Sequence, residues 1–144
     1  MFFHAIARES QPEIVQKGSH PLTEHYSAFK PEVSRDAEGN LLVGKNEALY
    51  RKLMAFDAVI IAGQAKSHCV AWTVSDLLDS IQSEDPDLAQ KVYLLDDCAS
   101  AVCVPDVIDF TDDAESAYQR FADAGMHVVR STDVMECVMG FRKA

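Results

Sequence analysis

A chain of 144 residues, 48% of them apolar, makes one domain (1–144) large enough to hold a core without disulfides. Its formal net charge of −10 excludes the clustered Lys and Arg that nucleic acid or an anionic membrane surface would need. No apolar run reaches the length of a membrane span and the start, MFFHAIARES, has no basic leader, so the expected compartment is the cytoplasm.

In chain order, residues 2–9 read as the end of a helix closed off before Pro12, and 13–16 as a short strand running into Lys17-Gly18. Residues 19–40 carry Pro21, Pro31 and Gly39 among polar groups and form a long loop, a length more often functional than not in a compact domain. Asn46 is placed to cap a helix through about Ala55, with Leu49 and Leu53 facing inward. Residues 57–62 are a Val- and Ile-rich run that suits a strand buried on both faces of a parallel sheet, and Gly63 ends it. Val70, Val74, Leu77, Leu78 and Ile81 then recur at helical spacing. Asp85-Pro86-Asp87 marks a loop, and 92–95 a second buried strand ending at Asp96-Asp97. Thr111 is the expected N-cap of a helix in which Ala114, Ala117, Tyr118, Phe121 and Ala122 share a face, with Gly125 as its stop. Residues 127–130 make a third strand before a short charged tail. Strands alternating with helices predict an α/β fold around a parallel sheet.

The unit from 56 to 81 is strand, tight turn, helix, with Cys69 where the helix begins. A thiol there meets the unpaired N–H groups of the first turn and the positive end of the helix dipole, an arrangement that favours the nucleophilic thiolate. The four cysteines (Cys69, Cys98, Cys103, Cys137) show no CxxC and no paired zinc spacing, and read as free thiols in a reducing compartment.

Two segments carry a resemblance. AGQAKSHCVAWT (62–73) resembles the nucleophile turn of the isochorismatase-like cysteine hydrolases, which include nicotinamidases: strand, Gly, small residue, then Cys-Val and a Thr four residues after the Cys. IVQKGSHPLTEHYSAF (14–29) is similar to the nicotinamidase segment that holds a catalytic Lys ahead of a Tyr-Ser-Ala-Phe block, here Lys17 and Tyr26-Ser27-Ala28-Phe29. LLDDCAS and FADAGMHVVRST also fit the family's later strands. The resemblance implies a three-layer parallel sheet flanked by helices. It also implies a Cys-Lys-Asp triad that hydrolyses a small carboxamide through a thioester, with nicotinamide to nicotinate and ammonia as the leading case. Cys69 would be the nucleophile and Lys17 would hold its thiolate. The backbone N–H groups of Ala65 and Cys69 would form the oxyanion hole, with a cis peptide at Gln64-Ala65. Tyr26, Phe29 and Gln64 would line the substrate site.

The departures are equally specific. The residues before Lys17 include no Asp, and the family's first strand and its metal ligands have no counterpart. The chain therefore reads as the C-terminal part of a family member, with a central strand edge left unpaired. A homo-oligomer, or a partner chain that completes the sheet, is expected to cover it. No metal is expected in this chain, since His20 and His25 lack a ligand spacing; Zn or a similar divalent ion would enter only with the missing part. His68 is adjacent to Cys69 and points elsewhere at a helix start, so it is not expected to be its base. Asp97 reads as a structural cap, and Asp112-Asp113 as favourable charge at a helix N-terminus. Cys98, Cys103 and Cys137 read as ordinary thiols. The alternatives to a nicotinamidase are a related amide or carbamoyl hydrolase, or an inert remnant that serves as a binding or assembly module.

Overall fold

A computed structural model describes residues 12–133. The helix expected at 2–9, Cys137 and the charged tail lie outside the described residues. Asn46 opens helix α1 (Glu47–Met54) by accepting the Leu49 N–H on its side chain at 3.1 Å. Leu49 and Leu53 pack inward, and Tyr50, which the apolar pattern did not single out, is the buried residue of that helix. Strand β1 (Val59–Ile61) leads through Gly63 into a turn of π-helix (Lys66–Val70), which continues as α2 (Ala71–Glu84). The expected loop at 85–87 is instead a 3-10 turn (Pro86–Lys91), capped by Asp85, that buries Ala89. It delivers β2 (Val92–Leu95).

A hairpin of β3 (Cys103–Val104) and β4 (Ile108–Asp109), which the sequence did not suggest, precedes α3 (Thr111–Asp123). Thr111 is the first residue of α3 and not its cap. The N-cap position is Phe110, whose side chain makes no cap bond, and one residue earlier Asp109 Oδ1 takes the Thr111 N–H (2.8 Å) and hydroxyl (2.6 Å). Gly125, at φ +98°, stops α3: its own N–H donates to the Ala122 carbonyl and that of Met126 to Phe121, a paired closure that needs a left-handed residue. Strand β5 (His127–Val129) follows. Residues 13–16 form no strand, and 19–40 is irregular apart from the bridges Glu24↔Val33 and Arg35↔Leu41.

The sheet is parallel with the order β1-β2-β5, in the register Val59↔Val92 and Tyr93↔His127. Val74, Leu77 and Ile81 of α2, Tyr118 and Phe121 of α3, and Tyr50 of α1 join Val92 and Leu94 in one core cluster. Alternation along each strand turns Tyr93 and Ile60 to the opposite face. There the Tyr93 and His127 rings stack at 4.5 Å. The expectation that β1 is buried on both faces fails at Ile60, which is 43% exposed on the face opposite the core cluster, and among the described residues no strand pairs with the outer edge of β1. No helix among the described residues is long and apolar enough to cross a membrane.

Candidate active site around Cys69

The C-terminal ends of parallel strands are where open α/β sheets place their sites, and here three such ends are laced together. The Gly63 N–H, after β1, donates to the Cys98 carbonyl after β2 (3.0 Å), and the Lys66 N–H donates to Ser100 (2.8 Å). Ser131, after β5, donates its N–H (2.7 Å) and hydroxyl (2.6 Å) to the Asp97 carboxylate. Those bonds hold Asp97 below the usual carboxylate range and make it the structural cap expected of it.

Cys69 is half-buried on the π-turn. The peptide Gln64-Ala65 is cis, as the resemblance implied. The Ala65 carbonyl accepts the N–H groups of both His68 and Val70 at 3.1 Å, and the second bond is the wide i to i+5 kind that defines the turn. Such turns recur at functional positions within helices. Ala65 and Cys69 thus stand at the entry and on the crown of one wide turn.

The Tyr-Ser-Ala-Phe block docks on α2 just past Cys69. The Ala28 N–H donates to Thr73 Oγ1 (3.1 Å), which gives the motif's Thr a role: it pins the block. Lys30 pairs with the buried Asp76 carboxylate (2.8 Å), and that bond raises the Lys30 ammonium above its usual value. The Tyr26 ring stacks on Trp72 at 6.1 Å and lies 6.2 Å from His68, whose own ring meets Phe110 edge-on at 4.7 Å.

The expected site residues divide on this frame. Cys69, Ala65 and Tyr26 gather at the turn and its aromatic wall. Lys17 reaches the same block, its Nζ donating to the Tyr26 carbonyl at 2.6 Å. Gln64 is taken up by Ser100: its amide nitrogen donates to the Ser100 carbonyl (3.0 Å) and its oxygen accepts the Ser100 N–H (3.2 Å). Phe29 departs from its expected place beside substrate. It is 2% exposed within the core, so it supports the block from below. His68 Nδ1 faces Ser67 Oγ at 2.9 Å, and that oxygen also accepts the Val102 N–H.

Lys66, Trp72 and Phe110 were not singled out from sequence. Trp72 carried a weak signal, as the chain's sole tryptophan three residues after the Cys; Phe110 carried none, since it arrives from the far side of the β3–β4 hairpin. The divalent ion that the resemblance associates with nicotinamidases has no donor set here: no three His, Cys, Asp or Glu side chains gather to hold one among the described residues. An open groove of about 410 Å³ between α2 and α3, lined by Ser75, Leu78, Gln82 and Arg120, does not include Cys69.

No family model matches the chain, and no curated protein matches it. Among solved structures it is similar to the Acinetobacter baumanii nicotinamidase/pyrazinamidase, with a TM-score of 0.53 and 24% identity over 83% of this chain. The chain shares the α/β fold of that enzyme over the part they have in common. It spans 47% of that enzyme's length, and at this identity the likeness speaks to the fold alone.

Proposed function

We propose that this chain carries the nucleophile half of a cysteine hydrolase of small carboxamides, with nicotinamide as the leading substrate. The observation that supports it most is the joint placement of two independent motifs. The turn bearing Cys69 and the block bearing Tyr26 are bound to one helix by Thr73 and Trp72.

In this reading the Cys69 thiolate attacks the amide carbon, and the N–H groups of Ala65 and Cys69 receive the charge that develops on oxygen. The acidic member of the site gives a proton to the amide nitrogen, and collapse of the tetrahedral species then breaks the C–N bond, releases ammonia and leaves a Cys69 thioester; the acid regains its proton from the water that attacks next. Water then attacks the thioester, freeing the carboxylate and returning the thiol. Lys17 acts as the fixed cation at the edge of the site, and the Tyr26, Trp72, His68 and Phe110 rings form its wall.

The acidic member of the site is proposed to come from another chain or a second copy seated on the edge of β1 that no described strand covers. The position of β1 at the end of the described sheet favours this arrangement. Ammonia release from nicotinamide, rising faster than linearly with protein concentration and lost in Cys69→Ala, is the expected result. Release from other amides only would move the substrate within the same class. Turnover that survives Cys69→Ala would overturn the reading.

A further inference from the structure

We propose that Lys66 is a positioning residue: its buried ammonium, clamped between Asp96 and Glu115, fixes the turn that presents Cys69. The inference rests on the reading of Cys69 as a nucleophile. Lys66 is 4% exposed, rare for a lysine, and its Nζ donates to Asp96 Oδ1 at 2.7 Å and Glu115 Oε1 at 2.6 Å. The same ammonium stands over the Tyr118 ring, 4.4 Å from its centroid. Burial lowers the proton affinity of this ammonium, but the bonds to Asp96 and Glu115 outweigh it and hold the group above the usual lysine value. It is a permanent cation.

Three features separate a clamp from ordinary stabilisation. First, one residue ties the turn in two directions. Its N–H holds Ser100 in the loop after β2, while its side chain spans Asp96 at the end of β2 and Glu115 on α3. That residue immediately follows the cis peptide and opens the π-turn. Second, an apolar side chain would fill a buried site at lower desolvation cost, so a buried ammonium with two directional partners contributes position more than stability. Third, the cluster of one ammonium and two carboxylates carries a net charge of −1. A group placed to stabilise a thiolate by charge would carry the opposite sign, which leaves geometry as the role.

The decisive comparison is alkylation of each thiol by iodoacetamide at neutral pH, resolved by peptide mass spectrometry, in the wild-type chain, Lys66→Met and Lys66→Arg. Cys103, exposed on the β3–β4 hairpin, is the internal reference, since Cys98 lies in the 96–100 segment that Lys66 itself holds. The expected result is a Cys69 rate at least threefold lower in Lys66→Met, with Cys103 unchanged and Lys66→Arg recovering part of the loss. Where ammonia release is measurable, kcat falls while KM stays within threefold, since the turn acts on the transition state. A lower Tm with the Cys69 rate unchanged, or a rate that rises as the protein loosens, would overturn the proposal. If Lys66→Met does not fold, Glu115→Ala decides: its carboxylate is 62% exposed, so the fold survives its loss. A Cys69 rate at least twofold lower supports the clamp, and an unchanged rate refutes it. A wild-type chain inert toward every amide would defeat the proposed activity and still leave this comparison readable.

Discussion

Thr73→Val is the sharpest probe of how the Tyr-Ser-Ala-Phe block is held. Valine keeps the shape of threonine but removes the oxygen that accepts the Ala28 N–H at 3.1 Å. A buried donor left without a partner costs about 1–3 kcal/mol, and because Ala28 and Thr73 are only half-buried the lower part of that range applies. A loss of about 1–1.5 kcal/mol shifts the opening equilibrium of the block roughly five- to twelve-fold. The reporter is the amide of Phe29, whose own bond to Ser27 Oγ (3.0 Å) the substitution leaves intact. Its hydrogen exchange should accelerate by that factor while the amides of β2 do not change. Thr73→Ser, which keeps the hydroxyl, should exchange like wild type. Phe29 exchange within twofold of wild type in Thr73→Val, or equal acceleration in Thr73→Ser, would refute the assignment of this bond as the tie.

Two further outcomes follow from the packing and from charge. Phe121→Ala removes a ring that is 0% exposed at the centre of the core cluster and should cost about 3–5 kcal/mol in urea unfolding, whereas a loss under about 1 kcal/mol would place Phe121 outside the core. Asp109 is held below the usual carboxylate range, first by the Thr111 hydroxyl and then by the Thr111 N–H. A depressed carboxylate contributes stability that is present above its unfolded value and lost as pH falls through the folded one. Thermal unfolding between about pH 6 and pH 2.5 should therefore fall more steeply below about pH 4 in wild type than in Asp109→Asn, and parallel curves would contradict the Asp109–Thr111 bonds.

How far the sequence spoke depended on the range of the interaction. Elements set by local pattern were legible: Asn46 capping α1, the α2 stripe from Val70 to Ile81, and Gly125 closing α3. The parallel sheet followed from alternation of strand and helix. Thr111 is a capping type, but the helix takes it in as its first residue with Phe110 at the N-cap position, a shift of one residue that local pattern does not resolve. The 3-10 turn after Asp85 and the short β3–β4 hairpin left too few residues for any periodicity.

At the site, the position of Cys69 in a strand–turn–helix unit was readable, whereas the surroundings of the thiol were not. Phe29 was drawn to the substrate by its neighbours in sequence but buried by its contacts in space. Lys66 sits inside the very motif that was singled out. Its partners lie 30 and 49 residues away, and a lone lysine beside a turn carries no sign that it will be buried.

The central claim is that the fold makes a nucleophile of Cys69, and relative thiol reactivity tests it most directly. Cys98 and Cys103 are exposed while Cys69 is half-buried, so access alone ranks Cys69 last of the three described thiols. Alkylation of the wild-type chain by iodoacetamide at pH 7, quantified peptide by peptide, should instead show Cys69 reacting about tenfold faster than either. Cys69 reacting more slowly than both exposed thiols would contradict the account.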